Sequence, residues 1–289
     1  MSATVQNETV AIQPAAPRTF DLWIVQIRAI FRIELRRSLI GKRAVLTWLL
    51  ALMPVALVLA VVLFPPTARQ IVDPDARATF WAFLFETLIL RAVIFFGCAW
   101  SFMNLFRGEI VDRSLHYSLL AAVRREVLVA GKFLAGAAAA CLIYVPTVAL
   151  SIALTYLPMK PGQVSTVLTT GGGFKAAAGY MLVTLLACIG YGAAFMAMGL
   201  FFRNPVFPAL LVYGWEFINF LLPPIMKKLS IVHYLQSLAP VRVSEGPFAI
   251  LAEPTAWWIS VPTLLILSAV LVGLSGWRLR HYEIRYGSD

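Results

Sequence analysis

Charge is what this sequence has least of. Only 13% of its 289 residues are Asp, Glu, Lys or Arg, while 60% are hydrophobic. A soluble domain carries roughly a quarter charged residues. Too much apolar sequence is present for a water-exposed surface to absorb, which excludes a soluble globular enzyme and a disordered chain. Cysteine is scarce too: Cys98, Cys141 and Cys188 fall singly inside apolar runs. An odd, scattered set excludes a disulfide framework or a CxxC metal site; the three read as small core residues. The histidines, His116, His233 and His281, are far apart, without cysteine neighbours at ligand spacing. No HExxH, GxSxG or GxxxxGK[ST] is present. The chain is therefore expected not to be an enzyme and to have no cofactor of its own, and any ATP it depends on must be bound by another chain. Gly171–Gly173 lacks a strand–loop–helix context and reads as a flexible turn rather than a phosphate cradle. The net charge of +10 comes without the aromatic-interleaved basic tract that grips nucleic acid. A cleavable leader is not expected either, because the first long apolar run starts only near Ala44.

Six apolar runs are present: Ala44–Phe64, Phe80–Phe106, Lys132–Leu157, Phe174–Phe202, Val206–Leu222 and Trp257–Trp277. Each predicts a helix across a ~30 Å hydrocarbon core, because only a helix satisfies its own backbone there. The fifth is short and bounded by Pro205, Pro208, Pro223 and Pro224, which points to a broken or tilted span. The fold class expected is an all-α integral membrane protein of six transmembrane helices. Sixteen Lys and Arg residues fall on the side of the N-terminus and seven on the other, with Arg91 inside a span. Positive charge retained in the cytoplasm then puts both termini there.

Around the spans, residues 1–18 are polar, contain Pro14 and Pro17, and are expected to be a disordered cytoplasmic tail. Residues 19–43 predict an amphipathic helix. Phe20, Ile24, Ile27, Phe31 and Leu35 share one face and Asp21, Arg28, Arg32 and Arg36 the next, with Glu34 intruding on the apolar side. Such a helix belongs in the headgroup layer, as a coupling element or as a plain anchor. The 44–277 region is the six-span domain, and 278–289 a second cytoplasmic tail. Within that domain, 107–131 predicts a short amphipathic helix followed by Arg124 and Arg125. Val111, Leu115, Leu119 and Ala122 form its apolar face, and Glu109, Asp112, Arg113 and His116 its charged face. This is either a docking surface for a polar partner or a solvated loop. The 223–256 segment is an outer loop with five prolines that either dips into the membrane edge or lies on the surface.

Ionisable groups inside spans are costly and mark functional-site candidates. Glu86 and Arg91 lie in the second run, Glu216 and Asn219 in the fifth. Arg91 and Glu216 are each about 15 Å into their spans at 1.5 Å per residue. They are expected either to pair with one another across an internal cavity, or, for Arg91 with Glu86, to snorkel to the outer interface. Gly131, Ala135 and Ala139, and Ala193 with Ala197, recur every four residues and predict close helix packing.

Glu109 with Asp112, Ser114-Leu115, Leu119-Leu120, Val123-Arg124-Arg125-Glu126-Val127 and Gly131-Lys132 together resemble the stretch between spans two and three of the permease subunits of ATP-binding-cassette (ABC) type-2 transporters. Arg113 stands where the family usually has Gly, and Ala122 where Pro is common. The resemblance implies a permease half that forms a homodimer above two separate ATPase (nucleotide-binding) subunits, which hold the ATP and Mg. It implies that Glu109, Asp112, Arg113, Leu115, Leu119, Arg124 and Arg125 couple to the ATPase. It further implies that Arg91, Asn104, Glu216 and Asn219 line the translocation path, that residues 19–43 form the elbow helix, and that the protein is an exporter in the inner membrane of a prokaryote. A stand-alone secondary transporter of a small amphiphile is the alternative; it predicts inverted repeats with broken helices in both halves, which the sequence lacks. An intramembrane enzyme would need clustered acidic or histidine side chains at the cytoplasmic face, where only Glu109 and Asp112 are available.

Overall fold

The computed structural model describes residues 19–42, 44–66, 72–111, 123–169, 171–241, 243 and 253–281. Every regular element among them is a helix. The first, α1 (Thr19–Ile40), is the amphipathic helix, and α2 (Ala44–Leu63) follows it after a short turn. A single long rod comes next: α3 (Pro74–Leu84), a π-helical stretch Phe85–Ile94, and α4 (Phe95–Val111). Asp73 starts this rod by accepting the Ala76 amide at 3.0 Å, with Pro74 in the first turn where no amide is needed. Then come α5 (Arg125–Leu154), the short α6 (Pro161–Thr169) and α7 (Gly173–Phe201). Helix α7 opens from Gly172, whose φ of 69° is a left-handed conformation that glycine adopts without cost. Last are α8 (Val206–Phe217) with a 3₁₀ turn at Ile218–Leu221, the single turn α9 (Pro224–Lys227), α10 (Ile231–Leu238) and α11 (Trp257–Arg280).

Five of these helices are long and apolar enough to cross a membrane: α2, the α3–α4 rod, α5, α7 and α11. The protein is thus a multi-pass membrane protein by length and composition. At its basal end, where α1 lies, α5 begins, α4 and α7 finish, and Arg278 of α11 stacks over Phe201 at 5.9 Å. At the distal end α3 and α7 begin, and Trp81 packs edge-on against Tyr180 at 6.0 Å.

The fifth apolar run is not a sixth long helix. Val206–Leu221 is only 16 residues including its 3₁₀ turn, about 26 Å in all and short of the ~30 Å hydrocarbon core. The chain nevertheless passes from Phe201 at the basal end to Trp257 at the distal end, and does so in two pieces. Helix α8 climbs the basal half. Helix α10 starts beside Gly190, where Ile231 packs, roughly 16 Å up α7 from Phe201. It ends near Pro240, which lies against Gly179 at the distal end. Ile231, Val232, His233, Tyr234 and Leu235 are buried, so this part of the segment after Pro223 is packed into the bundle, not laid on its surface.

The rod and α7 form the centre. A Cβ on Gly192 would sit 2.4 Å from Phe102, and one on Gly199 would sit 2.9 Å from the Met103 carbonyl, so these glycines permit the close approach of α4 and α7. Phe95 meets Tyr191 and Phe195 edge-on at 5.3 and 4.9 Å. Ala135, Ala139, Ala193 and Ala197 are buried within the chain, as is Gly131. Their spacing therefore serves packing inside one subunit. The cysteines are free, with Cys98 and Cys188 buried and Cys141 half-buried.

Candidate functional site

Two buried polar clusters stand out in the apolar bundle. The first is at its basal end. The Lys132 ammonium on α5 donates to Glu34 Oε1 at 2.8 Å, to Glu109 Oε1 at 2.5 Å and to the Leu105 carbonyl at 3.2 Å. Arg37 adds a second cation, 3.4 Å from Glu109. Lys132, Glu34 and Glu109 are all buried. The ammonium also faces the Phe106 ring at 5.1 Å. A charge removed from water needs both a partner and hydrogen bonds, and this arrangement supplies them. The cluster ties α1 to the end of α4 and the start of α5, the two helix ends that flank residues 112–122.

This changes the reading of two residues. Glu34 interrupts the apolar face of α1 because it reaches inward to Lys132. Glu109 does not stand on the exposed charged face of a separate coupling helix. It belongs to the last turns of α4, and its carboxylate is buried and ion-paired. Asp112, Arg113, Leu115 and Leu119 lie outside the described residues. Arg125 donates to the Leu279 and Arg280 carbonyls at 2.8 and 2.7 Å, capping the C-terminal end of α11. Arg124 is half-exposed, 3.7 Å from Glu126 and stacked 4.9 Å over Trp23 of α1. Both arginines thus brace neighbouring helices.

The second cluster lies at the break between α8 and α10. Arg91 and Glu216 do come together there, but not as the expected ion pair. The guanidinium donates to the main-chain carbonyls of Glu216 and Phe217, both at 3.3 Å, and lies 3.5 Å from the Glu86 carboxylate. The Glu216 carboxylate turns the other way. It accepts from the Ile231 and Val232 amides at 2.9 Å each and from the Ser230 hydroxyl at 2.6 Å. It therefore satisfies the first turn of α10, where the helix dipole favours an anion. The positive group holds the C-terminal end of one half-helix and the negative group the N-terminal end of the next. Gln236 of α10 donates to Glu86 and closes the ring. The π-helical stretch carries both Glu86 and Arg91, five residues apart; π-helical interruptions of α-helices are frequent at functional sites.

Phe95, Tyr191, Tyr213 and Phe217 wall in Arg91 and Glu216. Asn104 is not part of this group: it sits thirteen residues further along the rod, donates to the Trp100 carbonyl at 2.7 Å, and lines a small basal pocket with Thr47, Ser101 and Glu34. Asn219 is fully buried in the 3₁₀ turn, and neither end of its carboxamide has a hydrogen-bond partner among the described residues. No group of three or more metal-binding side chains is found among the described residues.

No protein-family profile, no curated protein and no solved structure matches this chain. The site therefore has to be interpreted on its own chemistry. Sequence reasoning located Arg91, Glu216 and Glu86 because apolar runs make them conspicuous. It missed Gln236 and Ser230, which are unremarkable polar residues in a proline-rich segment, and it took Lys132 as the edge of a span and the end of the coupling-stretch motif, not as a buried ion-pair centre.

Proposed function

We propose that the chain is the transmembrane permease subunit of an ABC transporter, an exporter that acts as a homodimer with a separate ATPase subunit. The observation that carries the reading is the basal cluster. Lys132, Glu34 and Glu109 lock the amphipathic helix α1 to both ends of the 112–122 segment, whose sequence resembles the coupling stretch of type-2 permeases. Force applied to that segment by a partner would reach α1, α4 and α5 as one body, a two-state element that nucleotide in the partner can bias. On this reading Glu109 and Arg125 act as internal struts of the coupling region. Contact with the ATPase falls to Arg124 and to Asp112, Arg113, Leu115 and Leu119. The break at Glu216, beside the path-lining Arg91, offers the flexible element that alternating access requires. Six crossings, the fifth of them split, and two cytoplasmic termini complete the architecture.

The test is purification of the tagged full chain from its native host in mild detergent, with identification of what comes with it. A stoichiometric Walker-motif ATPase and vanadate-sensitive hydrolysis are the expected result. A chain that emerges alone and hydrolyses nothing, even after crosslinking in intact membranes, overturns the proposal and favours a secondary transporter.

A further inference from the structure

At the distal end, well away from the basal cluster, a half-open cavity of about 490 Å³ lies between α3, the end of α5, α6 and the start of α7. Ile152 and Lys132 are separated by twenty residues of α5, about 30 Å, so this space is distinct from the coupling region. Its volume is within the ~300–1,000 Å³ of small-molecule sites. The walls are largely apolar and aromatic, with Ile152, Tyr156, Val167 and Tyr180 among them.

One charged group faces this space from the buried wall. Arg77 is only 7% exposed. Its guanidinium points Nη1 at the Met159 sulfur, 2.8 Å away, and rests 4.8 Å over the Tyr156 ring. A thioether and a ring face hold the group in place, but neither neutralises it. Among the described residues no carboxylate comes within ion-pair distance. Asp75, two residues earlier, lies exposed at the rim, where water screens it. Beside Arg77, the indole N–H of Trp81 is buried and has no hydrogen-bond partner among the described residues. A buried cation without a counter-ion and a buried donor without an acceptor are both costly. Both are relieved by a single anionic head group. The α7 start at Gly172–Gly173, which has no side-chain cap, lines the same space and adds partial positive charge.

We infer that this cavity binds an anionic amphiphile, with a carboxylate or phosphate head on Arg77 and Trp81 and an apolar body against Ile152, Val167 and Tyr180. The guanidinium is suited to this role because its planar fork matches either head bidentately. The inference does not rest on the transporter reading, since it concerns equilibrium binding to this chain alone.

The experiment uses the full chain in nanodiscs of phosphatidylcholine and radiolabelled dodecanoate at equilibrium, with the signal of empty discs subtracted. Saturable binding at one site per chain is expected, displaced by dodecyl phosphate but poorly by dodecanol or dodecyltrimethylammonium. Arg77→Gln should weaken it roughly ten- to a hundredfold, the worth of a charge-assisted hydrogen bond, and Arg77→Lys should lose less. Ala176→Phe, which fills the cavity from α7 without touching the cation, should abolish binding while the protein stays monodisperse. Discs containing phosphatidylglycerol separate the two sources of such a ligand. Competition identifies a bilayer lipid as occupant, and unchanged binding identifies a soluble amphiphile; either supports the site. Equal displacement by the neutral or cationic analogue, or dodecanoate binding untouched by both Arg77→Gln and Ala176→Phe, overturns it.

Discussion

Lys132 holds two carboxylates in a place where none of the three would be stable alone. Removing one partner of a buried ion pair costs about 3–5 kcal/mol, because the other charge is left stranded. Lys132→Met should therefore lower the thermal unfolding midpoint sharply in detergent, and the added changes Glu34→Gln and Glu109→Gln should recover most of the loss. If the triple variant is no more stable than the single one, the cluster is not held together by charge. Glu109→Arg is expected to unfold the basal end rather than merely to weaken a partner's docking, since it places a third cation beside Lys132 and Arg37. Half of this was legible beforehand. Glu34 appears in the sequence as a flaw in an amphipathic face, and such flaws point to a hidden partner. That partner lies 98 residues away, and no local pattern connects the two.

At the scale of elements, the informative one is the passage made by α8 and α10. Its first half is readable as a short apolar run between prolines. Its second half is not, because eight residues with Pro240 close behind give too few turns for a helical period to emerge. What joins the halves is tertiary: Glu216 reaches forward to the amides of Ile231 and Val232, and Arg91 arrives from the rod to hold the carbonyls left open. Glu216→Ala should speed hydrogen exchange at Ile231 and Val232 by roughly two- to thirtyfold, the loss of a helix cap being worth roughly 0.5–2 kcal/mol. Glu216→Gln, which keeps one acceptor, should fall between. Exchange unchanged in both variants would mean that the cap is not formed in the membrane. The geometry also fixes the result of a charge swap. Arg91→Glu with Glu216→Arg should not rescue either single reversal, because the native guanidinium binds main-chain oxygens and the native carboxylate binds main-chain amides. Recovery in the double variant would restore the direct ion pair that the sequence suggested.

For the whole molecule, the number of crossings decides which side each loop occupies. Spans α2 and α5 rise from the basal end, whereas the α3–α4 rod, α7 and α11 descend to it, so α7 and α11 run parallel; the apolar lengths of all five made them legible from hydropathy alone. The fifth run falls short of a bilayer by itself, so counting long helices gives five and would place the ends of the chain on opposite sides. Contacts at the end of α11 argue otherwise. Arg125 binds the Leu279 and Arg280 carbonyls, and Arg280 pairs with Glu126, so the last helix finishes beside the start of α5, at the end where α1 lies. The basic residues Lys42, Arg124, Arg125, Arg203, Arg278 and Arg280 then gather at one end of the bundle, the distribution expected of a cytoplasmic end. An odd number of crossings would separate them. Single cysteines placed at the exposed positions Lys42, Lys160, Arg203 and Glu253 test this with a membrane-impermeant maleimide. Lys160→Cys and Glu253→Cys should label in intact cells, and Lys42→Cys and Arg203→Cys only after permeabilisation. Arg203→Cys and Glu253→Cys reacting from the same side would mean that α8 and α10 turn back instead of crossing, and α11 would then have to run in the opposite direction through the bilayer.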